Sequence, residues 1–130
     1  MITLQDYWRG RDALYPLAMT PEIESNAWKL LGLVNALLAM YGGHPHVSSG
    51  WRPPAVNQST PNAAVNSKHM TGQAIDLADP DGMLDEWLTS DVGLDAMQTI
   101  GLWAEAPAFT KNWCHLQSVP PKSGRRIFNP

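Results

Sequence analysis

Cysteine is nearly absent from these 130 residues: Cys114 stands alone. One cysteine closes no internal disulfide, so nothing in the chain calls for an oxidising compartment. Charge is sparse as well. Charged residues make up 16% of the chain and the net charge is −3, without the basic excess that a general nucleic-acid binder presents. Long hydrophobic runs are missing. The longest apolar-leaning stretch, Trp28 to Tyr41, is too short and too interrupted to span a bilayer, so no membrane insertion is expected. The opening residues, MITLQDYWRGRDAL, show no basic segment leading into an apolar one and do not read as a secretory signal. Residence in a cytoplasm is the expectation. There is no internal repeat and no low-complexity tract. What is present is a 44% hydrophobic chain, which excludes general disorder. Its length suits one domain over residues 1–130, a monomer with a respectable core.

The strongest element starts at Thr20, a good N-cap, followed by Pro21 at the first helical position and by Glu22 and Glu24 against the helix dipole. Ile23, Ala27, Leu30, Leu31, Val34, Leu37, Leu38 and Tyr41 recur at helical spacing, and Gly42-Gly43 supplies the stop. The spacing predicts a packing helix over about 20–41. His46 to Ser49 reads as a short strand and Asn57 to Ser67 as a polar surface loop. Gln73 to Ala78 reads as a strand with Ala74 and Asp76 on one face and Ile75 and Leu77 on the other. Met83 to Leu88 and Val92 to Ile100 read as short helices, the second capped by Ser90 or Asp91. Trp113 to Gln117 reads as a strand whose Trp113, His115 and Gln117 share a face opposite Cys114 and Leu116. Residues 118–130 form a basic, proline-rich tail, read as solvated or as a dock for an anionic polymer. The six tryptophans are expected in the core and in pocket walls, and Cys114 as a buried thiol. Helices with few, non-alternating strands predict an α+β domain.

The chemistry concentrates in Ser67-Lys68-His69-Met70-Thr71-Gly72-Gln73-Ala74-Ile75-Asp76. Gly72 lets the chain turn tightly after His69, so the strand that follows can bring Asp76 back beside the histidine. A catalytic zinc takes three protein ligands and a water. His115 is the third candidate, though His44 and His46 keep the choice of histidine open on composition. The same pattern also suits a plain structural His–Asp hydrogen bond.

The run Ser67-x-His69-x-x-Gly72-x-Ala74-x-Asp76, with Trp113-x-His115 downstream, resembles the signature of the D-alanyl-D-alanine zinc peptidases. That family includes carboxypeptidases, dipeptidases and the L-alanyl-D-glutamate endopeptidases of phage lysins. Ser49-Gly50-Trp51-Arg52-Pro53 resembles the Ser-Gly-Tyr-Arg segment that precedes the signature there. The three blocks cover about residues 46–117. The resemblance implies a small α+β fold on an antiparallel sheet, with one zinc ion per chain held by His69, Asp76 and His115. It also implies that Arg52 contacts the substrate or the transition state, as a catalytic and substrate-binding residue; the alternative is a structural arginine paired with Asp76 or a backbone carbonyl. Ser67 either holds the substrate or caps the turn.

One departure from the family pattern stands out. Several members carry a general-base glutamate three residues before the last histidine, where this chain has Asn112. The nearest glutamate is Glu105, at the end of Leu102-Trp103-Ala104-Glu105. It is the expected base, since hydrolysis by a zinc-activated water wants a carboxylate to carry the proton; the alternative is a solvated loop carboxylate. The expectation is a zinc peptidase acting on the stem peptides of bacterial peptidoglycan. A phage or prophage lysin, or a virion part, made in the cytoplasm and acting on the cell wall, fits the missing signal. The competing readings are a non-enzymatic domain that keeps zinc for structure or binding, and a helical adaptor with no metal.

Overall fold

In a computed structural model covering residues 1–130, the long helix forms as its sequence dictates. It is labelled α3 (Pro21–Tyr41), after two short N-terminal helices, α1 (Leu4–Trp8) and α2 (Arg11–Leu14). The Thr20 hydroxyl accepts from the Ile23 amide, and Gly42, at φ 86°, ends the helix. Ala27, Leu30, Leu31, Val34, Leu37 and Leu38 are its buried face. Each fully buried leucine there contributes about 1.5–3 kcal/mol of apolar transfer.

Five strands make one sheet: β1 (Val47–Ser49), β2 (Ala74–Ala78), β3 (Trp103–Glu105), β4 (Trp113–Gln117) and β5 (Ile127–Phe128). Their order across the sheet is β1-β2-β4-β3-β5. The first three pairings in that order are antiparallel, but β3 pairs with β5 in parallel. The antiparallel sheet expected accounts for four strands, and β5 joins it in parallel, so the α+β domain has a mixed sheet. The remaining helices are α4 (Pro54–Ser59), α5 (Met83–Thr89) and α6 (Asp91–Ile100). The back of the sheet presents Ile75, Leu77, Ala104, Cys114 and Leu116 to the core shared with α3, α5 and α6. Cys114 is indeed buried, and burial first, with the carboxylate of Asp85 next, pushes its thiol well above the ordinary range.

Three expectations need correction, and one stretch had none. Residues 57–59 belong to α4 rather than to a loop, because Pro53-Pro54 presets the first turn; Asn57 packs inward and ties the following loop by donating to the Ala64 carbonyl at 2.9 Å. The C-terminal segment is not a free solvated tail. Ile127–Phe128 adds a strand to the sheet, and Arg126 stacks on Trp103 at 4.4 Å while donating to the Leu102 carbonyl. Trp28 is 63% exposed and lies outside the core. The N-terminal residues, given no element from sequence, form α1. Its capping box is written in the sequence as Thr3-x-x-Asp6, and it buries Tyr7 and Trp8.

Helix α5 has Gly82 at its N-cap position, with no side chain to cap it. Asp79 does this from three residues upstream: its two carboxylate oxygens accept from the Leu84 and Asp85 amides at 3.0 and 2.9 Å. Asp79 is buried. Asp79→Ala is expected to lower stability by about 2 kcal/mol, because two amides lose a charged acceptor. Urea denaturation checks this, and an unchanged midpoint would remove Asp79 from the role.

Candidate metal centre

Three local structures converge on the front of the sheet. The turn carrying His69 is tied from within by Ser67, whose hydroxyl accepts from the His69 amide at 3.2 Å, and by Gln73, whose amide donates to the Lys68 carbonyl at 3.0 Å. Gly72 sits at φ 77°, and a Cβ there would lie 2.6 Å from the Ile23 carbonyl oxygen. Glycine is thus required twice, for the turn and for the contact with α3. Across the turn, the Arg52 amide donates to the His69 carbonyl at 3.1 Å. Strand β2 supplies Asp76 and β4 supplies His115, and the register places them directly opposite each other.

The side chains meet as the sequence suggested. His69 Nε2 lies 3.2 Å and His115 Nδ1 lies 2.9 Å from the same oxygen, Asp76 Oδ1. The three atoms, one from each residue, all fall within 4.8 Å of one another, so the group could hold a metal ion. His44 and His46 are elsewhere, lining a groove with Ile2, Asn35 and Leu38.

Electrostatics tie the group together. Burial alone would raise the Asp76 carboxyl, but the two histidines in their protonated forms, His69 by its charge first and both by hydrogen bonds, outweigh it and hold the group well below the usual carboxylate range. Burial lowers His69, and Asp76 offsets only part of this. Burial also acts to lower His115, yet its hydrogen bond and charge interaction with Asp76 prevail and raise it.

The hydrogen bonds test whether a cation fits. His69 Nδ1 lies 2.8 Å from the Gly50 carbonyl oxygen. A carbonyl only accepts, so Nδ1 carries the proton. In the neutral ring that burial favours, Nε2 is then a bare lone pair facing a carboxylate oxygen. Two acceptors confront each other, an arrangement that a cation among them relieves. Two imidazoles and one carboxylate are also ligands suited to a catalytic zinc with an open fourth position. The residues fit the metal.

Glu105 joins this face by register. The β3–β4 ladder pairs Trp103 with Gln117 and Ala104 with Leu116, so the next step brings Glu105 opposite His115. On its other side Glu105 pairs with Phe128, whose ring meets His115 edge-on at 6.2 Å. Ser49 pairs with Asp76 at the far side. Ser49, Asp76, His115, Glu105 and Phe128 thus form one row across all five strands. Strands are about 4.8 Å apart, so Glu105 stands about one spacing from His115 and two from Asp76. Burial raises the Glu105 carboxyl above its ordinary value, and the nearby His115 offsets part of that. The position three residues before His115 serves a different purpose. Asn112 takes a left-handed φ of 73°, which asparagine tolerates better than glutamate, and its carbonyl accepts from the Asp79 amide.

Arg52 pairs with neither Asp76 nor a carbonyl through its guanidinium. Its Nη2 donates to the Ser67 hydroxyl at 3.2 Å, while Nε is buried without a protein partner. Ser67 therefore caps the turn and also receives Arg52. Sequence reasoning missed Gly50, Tyr7 and Gln117 as supports. A Cβ on Gly50 would sit 1.9 Å from the Tyr7 carbonyl oxygen. The buried Tyr7 hydroxyl donates to the Ala74 carbonyl at 2.9 Å, which braces β2. For Tyr7 the capping box Thr3-x-x-Asp6 was the available signal; for Gly50 it was its place in the Ser49-Gly50-Trp51-Arg52 block.

No curated protein and no solved structure matches the chain. A family model described as peptidase M15 matches residues 15–90. That span carries Arg52, Ser67, His69 and Asp76 and stops short of Glu105 and His115. It covers more than half of the 130 residues, and with it the chain is placed in the peptidase M15 family.

Proposed function

We propose that this peptidase-family chain hydrolyses peptide bonds in the stem peptides of bacterial peptidoglycan, with one zinc ion held by His69 Nε2, Asp76 Oδ1 and His115 Nδ1. The observation that carries the reading is the row on the sheet. It supports Glu105 as the base: its carboxylate belongs to the strand beside that of His115 and is not one of the His-Asp-His group. When bound, zinc acts as a Lewis acid that polarises the scissile carbonyl and lowers the pKa of water towards neutrality. Glu105 takes the proton from the attacking water and hands it to the leaving nitrogen as the C–N bond breaks. Phe128 walls the row beside Glu105. The Arg52 guanidinium is tied up by neither Asp76 nor a carbonyl, which suits a group that grips a substrate carboxylate. Ser67 holds that guanidinium in place.

The substrate class rests on the likeness of the three sequence blocks to enzymes that cut bonds at D-amino acids, and a phage or prophage origin belongs to the same proposal. Specificity for a D-centre needs a pocket that penalises the other stereoisomer with clashes and unpaired polar groups. The test incubates zinc-loaded protein with purified sacculi and, separately, with casein. New amino termini in the sacculi alone are the expected result. Casein cleavage with intact sacculi would refute the substrate class. Silence on both, with zinc content confirmed, would favour a non-enzymatic zinc domain.

A further inference from the structure

The metal group is held at two ends, and only one end is a backbone carbonyl set against a ligand. At the other end stands Gln117, two residues beyond His115 on β4 and only 5% exposed. Its Oε1 lies 3.1 Å from His115 Nε2, and its Nε2 donates to the Val119 carbonyl at 2.8 Å. The second contact decides the first. Val119 O can only accept, so the amide nitrogen of Gln117 must face it and the amide oxygen must face His115. An amide oxygen is also only an acceptor, so in the neutral ring the one His115 proton must sit on Nε2. The lone pair then falls on Nδ1, the atom 2.9 Å from Asp76 Oδ1.

A continuous relay results: Val119 carbonyl, Gln117, His115, Asp76, His69, Gly50 carbonyl. Both ends are pure acceptors. In its neutral form each imidazole therefore points its one proton outward, and the three inward atoms all offer lone pairs. We infer that Gln117 is a positioning residue that selects the His115 tautomer with a free Nδ1, so that the site is preset for a cation before one arrives. The inference rests on the metal-site reading above and adds to it the group that orients one ligand. Partners of this kind fix ring orientation and tautomer, and losing one typically costs about 10–100-fold in metal affinity. Gln117 can do this because its backbone is locked on both sides in the sheet: β4 lies between β2 and β3, and Gln117 pairs with Ala74 and with Trp103.

The experiment uses ¹⁵N-histidine-labelled protein and two readouts. Long-range ¹H–¹⁵N correlation spectra of the metal-free protein, at a pH where His115 is neutral, report which ring nitrogen carries the proton. Zinc titration against a competing chelator reports affinity. The wild-type protein is expected to show His115 protonated on Nε2. Gln117→Leu, with no group that can accept a hydrogen bond from the ring, is expected to lose that preference and to bind zinc about 10–100-fold more weakly. Gln117→Glu still accepts from Nε2 and is expected to restore the tautomer and most of the affinity. A merely structural role would lower stability in both variants without moving the tautomer. His115 protonated on Nδ1 in the wild-type protein overturns the inference, whatever the variants do. So does unchanged tautomer and affinity in Gln117→Leu. A wild-type protein with the Nε2 proton that binds no zinc would instead sink the metal reading and leave the tautomer assignment standing.

Discussion

Glu105→Gln is expected to fold, to keep its zinc and to lose at least about two orders of magnitude in turnover. Glutamine fills nearly the same volume at the end of β3, so the ladder to β4 and the parallel pairing with β5 survive. What it lacks is an oxygen that can take a proton. Glu105 stands one strand away from His115 and outside the group of three, so zinc content should not fall with it. Turnover on peptidoglycan fragments, measured beside elemental analysis of the same preparation, separates the two quantities. Turnover close to wild type would remove the proton-carrying role from Glu105. Zinc lost along with activity would make it part of the metal group instead.

The second large effect is expected at His69. His69→Ala should lose most of the zinc that the wild-type protein carries from purification, since Asp76 and His115 alone leave the metal two protein ligands. His69 is almost wholly buried, so the alanine also leaves a void and an unpaired Gly50 carbonyl. Asp76→Asn separates these effects. It keeps the shape, removes the negative charge shared by both histidines, and should also bind zinc poorly. Thermal melting gives an independent measure. Zinc at about 100 times its dissociation constant stabilises the folded state by about 2.7 kcal/mol, a shift of roughly 10 °C for a domain of this size. A chelator should remove that shift from the wild-type protein and change little in either variant. Equal zinc in wild type and His69→Ala would sink the assignment of the site.

The site was legible where chemistry and backbone need coincide in a short stretch. Gly72 marks a turn that only glycine can make against Ile23, and alternation along β2 and β4 put Asp76 and His115 on the same kind of face. Helix α3 was legible for a similar reason: its cap, its apolar period and its glycine stop all agree. Less local features were not. Nothing in Ile127–Phe128 announces a parallel strand, because a two-residue strand has no period and its partner β3 is distant in sequence. The role of Tyr7 depends on α1 reaching the end of β2, a long-range contact invisible to spacing. The alternation did group His115 with Gln117, but only the Val119 carbonyl reveals which way round the amide sits.

Strand register also governs how this chemistry can drift as the chain changes. Glu105 faces His115 because of the β3–β4 ladder, so the length of the connection at 106–112 has no say in it. That connection can grow or shrink by any number of residues while the ladder holds, and the glutamate stays on the front. One residue inserted inside Trp103–Glu105 is different: it turns the carboxylate to the back of the sheet, among Ala104, Cys114 and Leu116. Distance along the chain between base and last histidine is therefore a loose variable, and parity within the strand a strict one. A search keyed to a fixed glutamate-to-histidine separation will pass over chains built this way, whereas one keyed to ladder position will recover them.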